Sequence, residues 1–263
     1  MTDNNTCTIV TCYYKFPSKH SFENYDQWMS NFLITIDNPM VIFCDNTMIS
    51  KIKELRKHFE SKTYIICLPF HETYCAQEKY MNYWKKDWER DIEKHLHNPN
   101  LYIVWNEKCK FVEKSIQLNP FNTNFFMWCD MGCFRSKEDL KLFKQWPAVS
   151  FLNRARTDKM YFLNIVPFQS NDFVLLPNQL SRSFEREARI GGTIFLGHKD
   201  AFLKYINLFY ETMDLYIQHN YFTGKDQNII ATCYIKNPEL FELILPKINE
   251  GDPWFYLQRY FNA

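Results

Sequence analysis

Glycine is scarce in this chain, with six residues among 263. Half of them, Gly191, Gly192 and Gly197, fall in one segment, GGTIFLG, whose apolar middle predicts a strand. In a chain with so little glycine, such a pair indicates that the backbone approaches something closely or adopts positive φ. A plain bulge or tight turn is the alternative.

The chain has no marked excess of positive or negative charge, and it contains no long apolar run. Lysine and arginine number 31 against 30 acidic residues, a net charge of +1, so no strong field recruits nucleic acid or an anionic membrane. No apolar stretch is long enough to span a bilayer, so no transmembrane segment is predicted. The amino-terminal segment lacks the basic region and apolar core of a signal peptide, and we therefore expect a cytoplasmic protein.

Cysteine is present without the spacing of a metal site. The nine cysteines form no CxxC pair, which argues against a zinc site, and most lie inside apolar runs. Cys129 and Cys133 are close to Asp130 in sequence but are expected to be buried thiols. An odd number of buried thiols is typical of a reducing compartment.

Strand and helix patterns alternate along the chain. This alternation predicts an α/β fold with a layered, mostly parallel sheet, and the absence of repeats and linkers predicts a single compact domain over residues 1–263. The predicted strands include Thr8–Tyr14, Pro39–Cys44, Thr63–Leu68, Leu101–Trp105, Tyr161–Val166 and Asp172–Leu176. The predicted helices include Lys51–Phe59, a helical face within Gln77–His97, Lys108–Leu118, Leu140–Phe143, Lys199–Tyr216 and Asn228–Tyr234.

One further apolar run, FFMWC, leads directly into Asp130, and Gly132 follows two positions later. The run is short and ends at a turn residue, which favours a buried strand over a helix. Asp130 is therefore predicted at the carboxyl end of a strand, the edge where open α/β sheets bind ligands. A carboxylate there suits a metal ion, a ribose hydroxyl or a cation bound to phosphate.

Asp226 has two interpretations, since it opens the predicted helix after Gly224. Its carboxylate could cap the helix by accepting hydrogen bonds from the first free N–H groups. Alternatively, it points into a cleft as an acceptor-binding or catalytic acid. The residues alone leave both open.

Several segments together resemble the HtrL/YibB family of bacterial and large-virus proteins, within the GT-A type of glycosyltransferase. They are TIVTCYYKF, SKHSFENYDQWMSNFL, VWNEKCKF, NPF, WCDMGCFR, GGTIFLG and KDQNIIA. The resemblance covers nearly the full chain, and WCDMGCFR is its most specific part. It implies a GT-A-like (Rossmann-like) α/β/α fold with a mixed, mostly parallel central sheet. Residues 1–135 would form the nucleotide-sugar-binding half and residues 136–263 the acceptor-side half.

On the donor side, the resemblance implies a nucleotide-diphosphate sugar, UDP- or GDP-linked, at the carboxyl ends of the first strands. GT-A enzymes use an Asp-x-Asp pair for ribose and a divalent cation; here Asp130 matches the first acid and Gly132 stands in place of the second. Mn²⁺ or Mg²⁺ is the implied cofactor, with His198 as a candidate additional ligand. The candidate donor contacts are Thr11, Tyr13, Lys108, Asp130 and Arg135.

On the acceptor side, GGTIFLG and KDQN resemble elements that border the acceptor in GT-A enzymes. Gly191, Gly192 and Gln227 are then acceptor-binding candidates, and Asp226 is the candidate catalytic base of an inverting mechanism. The acceptor would be a glycan or protein, a homodimer is among the expected assemblies, and no nucleic acid partner is expected. If the chain is viral, the expected location is the host cytoplasm or the virion.

Two other functions stay open. Gly132 in place of the second acid favours a catalytically silent protein that binds a nucleotide sugar or glycan. A nucleotidyltransferase on a related sheet ranks last, because the chain lacks a glycine-rich, basic phosphate loop near the first strand.

Overall fold

A seven-stranded sheet runs through the molecule in the order β3-β2-β1-β4-β6-β5-β7, in a computed structural model that describes residues 3–137, 140–248 and 250–263. The strands are β1 Asp3–Tyr13, β2 Met40–Cys44, β3 Thr63–Cys67, β4 Thr123–Cys129, β5 Met160–Asn164, β6 Ile190–His198 and β7 Phe241–Ile244. The α-helices of the described residues are α1 Phe22–Thr35, α2 Ile49–Leu55, α3 Glu78–Arg90, α4 Pro99–Leu118, α5 Val149–Arg154, α6 Lys199–Gln218, α7 Asp226–Lys236 and α8 Tyr256–Tyr260.

The direction of the strands confirms the predicted mixed, mostly parallel sheet. β1 pairs in parallel with β2 and β4, β2 with β3, and β5 with β7, whereas β6 is antiparallel to both β4 and β5. Helices therefore return the chain between the parallel strands. None of the helices in the described ranges is long and apolar enough to cross a bilayer.

Apolar side chains cover both faces of the sheet, which gives the predicted three layers. Alternate residues of β1 and β4 face opposite ways, so Val10 and Trp128 join the layer beneath α4, α6 and α7. Ile9 and Met127 join the other layer, beneath α1, α2, α5 and α8. Because both faces are buried, the strands are continuous apolar runs, which made them readable in the sequence.

The strand predicted at Leu101–Trp105 is wrong, because these residues belong to α4. Asn98 caps this helix, its side chain accepting from the backbone N–H of Asn100 and Leu101, and Pro99 occupies the first turn. Leu101 and Ile103 are buried within a 20-residue helix that continues through the predicted Lys108–Leu118 segment. A short apolar run fits a strand or a buried helix equally well, and here the helix start signal decides.

The strand predicted at Asp172–Leu176 is also wrong. Ser170–Phe173 forms a short 3₁₀ helix whose start is closed by reciprocal hydrogen bonds between Gln169 and Asp172. Val174 is 59% exposed, so its apolar side chain has no sheet to cover. The sheet instead gains β7, which the sequence did not reveal because the strand is four residues long.

The helical face predicted within Gln77–His97 ends early, at Arg90. The next residue, Asp91, is extended and accepts a hydrogen bond from the backbone N–H of Glu93 with its side chain. A buried carboxylate bonded to the backbone in this way stops the helix. The remaining residues to His97 form turns that line the cleft described below.

Candidate active site

Asp130 lies immediately after β4, at the carboxyl edge of the sheet. Its backbone N–H donates to the carbonyl of Thr193 in β6 at 2.9 Å, and its Oδ1 accepts from the indole nitrogen of Trp128 at 2.6 Å. Its side chain is 27% exposed. Two contacts therefore orient a carboxylate that still reaches solvent at the ligand-binding edge.

Lys108 projects from the middle of α4 to the same point. Its ammonium lies 3.2 Å from Oδ1 of Asp130 and 3.0 Å from Oδ2 of Asp226, and donates to the carbonyl of Gly192 at 2.8 Å. The contact with Asp226 is an ion pair without a directed hydrogen bond. Burial alone would lower the pKa of Lys108, but the two carboxylates outweigh it and raise the pKa, so the ammonium stays charged. We call Lys108, Asp130 and Asp226 the Lys108 cluster.

Asp226 is the first residue of α7, and Lys225 occupies the capping position before it. The interpretation of Asp226 as an N-cap is therefore wrong, and the carboxylate lies in the cleft at 6% exposure. Burial raises its pKa, and the ammonium of Lys108 lowers it in part. The net effect is a raised pKa, so this carboxyl group holds a proton more tightly than a free aspartic acid does.

Gly192 makes room for Asp226. A Cβ added at this glycine would meet Oδ2 of Asp226 at 2.6 Å, closer than two such atoms approach. The pairing of β5 with β6 shifts here, from Phe162 opposite Phe195 to Leu163 opposite Gly191, so a bulge carries Gly192 out of the ladder. The glycine pair thus marks a close approach of the backbone, one of the alternatives predicted from its rarity.

The Lys108 cluster lies in a cleft of about 440 Å³ that continues into a smaller cavity of about 130 Å³. Asp130, Arg135 and Thr193 line both. The smaller cavity is walled mainly by aromatic and apolar side chains: Tyr13, Tyr14, Phe16, Tyr25, Leu101, Val104, Trp105, Trp128 and Phe255. An apolar recess beside a charged cleft can hold the planar and the ionic parts of one ligand.

The other predicted donor contacts differ in position. The guanidinium of Arg135 stacks between the rings of Trp28 at 4.3 Å and Phe255 at 4.8 Å, at the mouth of both cavities. Tyr13 lines the smaller cavity. Thr11 is fully buried inside the sheet and lines neither cavity, so the expected contact from Thr11 is not supported.

Of the predicted acceptor contacts, Gly192 and Gln227 line the large cleft. Gly191 does not, since an added Cβ there would face Leu163 at 3.2 Å. His198 is also misplaced as a ligand beside Asp130. It pairs with Phe125, at the opposite end of β4, and its Nδ1 caps α6 by accepting from the N–H of Asp200. The antiparallel course of β6, invisible in the sequence, separates it from the site.

A second charged group lines the same cleft and was not predicted. The ammonium of Lys225 lies 3.4 Å from Oδ1 of Asp91 and 2.5 Å from Oε2 of Glu93. Oδ2 of Asp91 also accepts from the hydroxyl of Tyr102 at 2.6 Å and contacts Nδ1 of His97 at 2.8 Å. We call these five residues the Lys225 cluster. Lys225 lies far along the chain from the other four residues, so no local sequence pattern predicts this cluster.

Neither cluster fits a divalent metal ion as it stands. Asp91, Glu93 and His97 bring three ligand atoms within 4.8 Å of one another, but Lys225 already contacts both carboxylates. In the Lys108 cluster, the ammonium lies between the carboxylates. Mg²⁺ can complete its coordination with waters and phosphate oxygens, so it is the ammonium, which repels a dication at this distance, that disfavours a metal ion here.

The comparison with known protein families agrees with the family resemblance seen in the sequence. A family model described as "Bacterial protein of unknown function (HtrL_YibB)" matches residues 5–263. No curated protein sequence matches the chain. Among solved structures, apo mouse xyloside xylosyltransferase 1 is similar over 91% of this chain and 85% of its own, with 10% identity and a TM-score of 0.46.

A second solved structure, 4-diphosphocytidyl-2C-methyl-D-erythritol synthase from Anaerococcus prevotii DSM 20548, is similar over 100% of this chain and 98% of its own. Its identity is also 10%, and its TM-score is 0.41. Both likenesses are distant and identify no activity. The family match, by contrast, spans almost the whole chain: this protein belongs to the HtrL/YibB family.

Proposed function

We propose that this protein is a glycosyltransferase that moves a sugar from a nucleotide-diphosphate donor to a glycan or protein acceptor. The observation that carries the proposal is the convergence of Asp130 and Asp226 on Lys108, at the base of a cleft at the carboxyl edge of the sheet. Lys108 and Asp130 come from the first 135 residues, and Asp226 and Gly192 from the rest. This division supports a donor-side half and an acceptor-side half within one domain.

On the donor side, the aromatic recess would receive the base and Asp130 the ribose. Arg135 would contact the diphosphate, because its guanidinium is held by two rings at the mouth of both cavities. A guanidinium forms paired hydrogen bonds with phosphate oxygens, and stacking reduces the freedom it loses on binding. These residues would orient the donor so that its anomeric carbon faces the large cleft.

On the acceptor side, Asp226 would take the proton of the attacking hydroxyl, as an inverting mechanism requires. A base works best when its pKa is near the working pH, and burial moves the pKa of Asp226 upward, towards that range. Lys108 would hold this carboxylate in place. Gly192 would let the acceptor and the carboxylate approach the same point, because no side chain fills it.

A catalytically silent nucleotide-sugar-binding protein is the second candidate. Both carboxylates of the site already have an ammonium partner, which would suffice for a purely structural role. Both candidates would bind the nucleotide sugar, but only the glycosyltransferase would release nucleotide from it.

The test is a panel of UDP- and GDP-sugars incubated with the protein, with Mn²⁺ or with EDTA, measuring released nucleotide. We expect slow release from one donor without acceptor, and its loss in Asp130→Ala. Donor binding by calorimetry with no release would favour the silent protein. Neither binding nor release across the panel would contradict both candidates.

A further inference from the structure

The point where a bridging cation would sit between Asp130 and Asp226 is filled by a side chain of the protein. Nζ of Lys108 lies 3.2 Å from one carboxylate and 3.0 Å from the other, and its third contact is the Gly192 carbonyl at 2.8 Å. Lys108 is only 4% exposed, so this ammonium is not a mobile surface charge. A buried charge with three oxygen contacts is a fixed part of the site.

Few side-chain oxygens remain for a metal ion beside this ammonium. Oδ1 of Asp130, the oxygen nearest the ammonium, also accepts from Trp128. Gly132 offers no side chain, and a Cβ there would already lie 3.2 Å from the ring of Trp28. A side chain at this position would require the ring to shift by a few tenths of an ångström, and with glycine there Asp130 has no second acid two residues on.

We propose that Lys108 is a built-in counterion that replaces the divalent cation, so that the cleft binds its nucleotide without metal. Lys108 neutralises one of the two carboxylates permanently, and the raised proton affinity of Asp226 reduces the remaining negative charge. Arg135, at the mouth of the cleft, then meets the diphosphate. The nucleotide part of this inference rests on the proposed function; the exclusion of metal rests on the Lys108 cluster alone.

The Lys225 cluster repeats the arrangement with other residues. There too an ammonium contacts two carboxylates, those of Asp91 and Glu93, at a place where three ligand atoms converge. The cleft therefore contains two groups of acidic side chains, and each has its own lysine. The second group provides a matched control.

The experiment measures Mn²⁺ binding by the loss of the free-ion electron paramagnetic resonance signal, for wild type, Lys108→Met and Lys108→Met/Asp226→Asn. Wild type should bind no Mn²⁺ at the Lys108 cluster up to about 1 mM, the affinity range of weak carboxylate sites. Lys108→Met exposes two unpaired carboxylates to each other and should acquire a site below that concentration. The double variant should lose it again. Lys225→Met is the matched control: any Mn²⁺ site it gains should lie on Asp91, Glu93 and His97 and should therefore survive the addition of Asp130→Asn.

Wild-type binding of Mn²⁺ below about 1 mM that Asp130→Asn removes would overturn the proposal, and this arm remains decisive even if Lys108→Met does not fold. A parallel arm follows the melting temperature with UDP or GDP. An equal rise in Mn²⁺ and in EDTA supports the proposal, and a rise only in Mn²⁺ overturns it. No rise in either buffer counts against the proposed function, while the Mn²⁺ result still judges the exclusion of metal.

Discussion

The Lys108 cluster and the Lys225 cluster each place a lysine beside two carboxylates, but the pKa values of Asp226 in the first and of Asp91 in the second shift in opposite directions. Asp91 is buried, which alone would raise its pKa. However, Tyr102, the N–H of Glu93, His97 and Lys225 all stabilise the carboxylate, and its pKa is lowered. Asp226 is also buried; Lys108 and the backbone N–H of Gln227 offset the effect of burial only in part, and the charge of Asp130 adds to it, so the pKa of Asp226 is raised.

The comparison distinguishes a carboxylate that supports the fold from one available for chemistry. Asp91 ends α3 and connects it to α4 through the hydroxyl of Tyr102. Both of its carboxylate oxygens accept hydrogen bonds, Oδ1 from the N–H of Glu93 and Oδ2 from Tyr102. Asp226 has few partners and no helix-capping role. Groups whose environment raises their proton affinity in a cleft are the usual candidates for acid–base work.

The largest contrast is expected from the matched pair Asp226→Asn and Asp91→Asn. If Asp226 is the base, Asp226→Asn should lower the transfer rate by about 10²–10⁴ while the fold stays as stable as wild type or gains slightly. Its raised pKa means that the ionised form destabilises the folded state at neutral pH. Rates on the identified donor and urea unfolding curves measure both effects. Full activity in Asp226→Asn would remove it from the mechanism.

Asp91→Asn should show the reverse pattern. Removing a buried partner of Lys225 and of Tyr102 should lower the free energy of unfolding by about 3–5 kcal/mol. The rate per folded molecule should change less than about tenfold, because this carboxylate touches no reacting group in the proposed mechanism. An unchanged unfolding curve would show that the Lys225 cluster does not support the fold.

Glu107 extends the comparison to a buried carboxylate without an ion-pair partner at hydrogen-bond distance among the described residues. It accepts from the N–H groups of Tyr74 and Cys75, and burial raises its pKa to about 7. A raised pKa means stability that is full below the unfolded value, near 4.5, and is lost as pH rises through about 7. That loss corresponds to about 3 kcal/mol.

The measurement is the free energy of unfolding of wild type and Glu107→Gln from pH 4 to 8. The variant should lack the decline that Glu107 causes in this window. A parallel decline in both proteins would assign it to other groups.

The smallest contrast is between Gly192→Ala and Gly191→Ala. A methyl group at Gly192 would press on Asp226, whereas one at Gly191 would press on the apolar side chain of Leu163. Both should cost about 1–3 kcal/mol of stability through overpacking. Only Gly192→Ala should also shift the pH–rate profile, because it moves the proposed base. Identical pH–rate profiles for the two variants would show that the close packing of Asp226 against Gly192 does not affect activity.

The sequence predicted those parts of the site that depend on local pattern. Asp130 follows an apolar strand, so its place at the sheet edge was readable, and the scarcity of glycine pointed to Gly192. Leu101–Trp105 was misassigned although Asn98 and Pro99 carried the signal of a helix start. That helix start places Leu101 and Lys108 on the same helix.

The remaining parts depend on contacts between distant segments. The meeting of Lys108 with Asp226 follows from how α4 and α7 pack on the sheet, which no spacing in the chain encodes. The position of His198 directly after GGTIFLG predicts a place near the site, but the antiparallel direction of β6 carries it to the far edge of the sheet. The Lys225 cluster likewise joins residues 91–102 to residue 225, and no spacing in the chain predicts that contact.

The most direct test is a crystal structure with UDP or GDP soaked in together with Mn²⁺. We predict the base in the aromatic recess, the diphosphate beside Arg135, and Lys108 still between Asp130 and Asp226 with no Mn²⁺ at that point. A nucleotide bound elsewhere, or a Mn²⁺ ion on Asp130 with Lys108 displaced, would contradict the account.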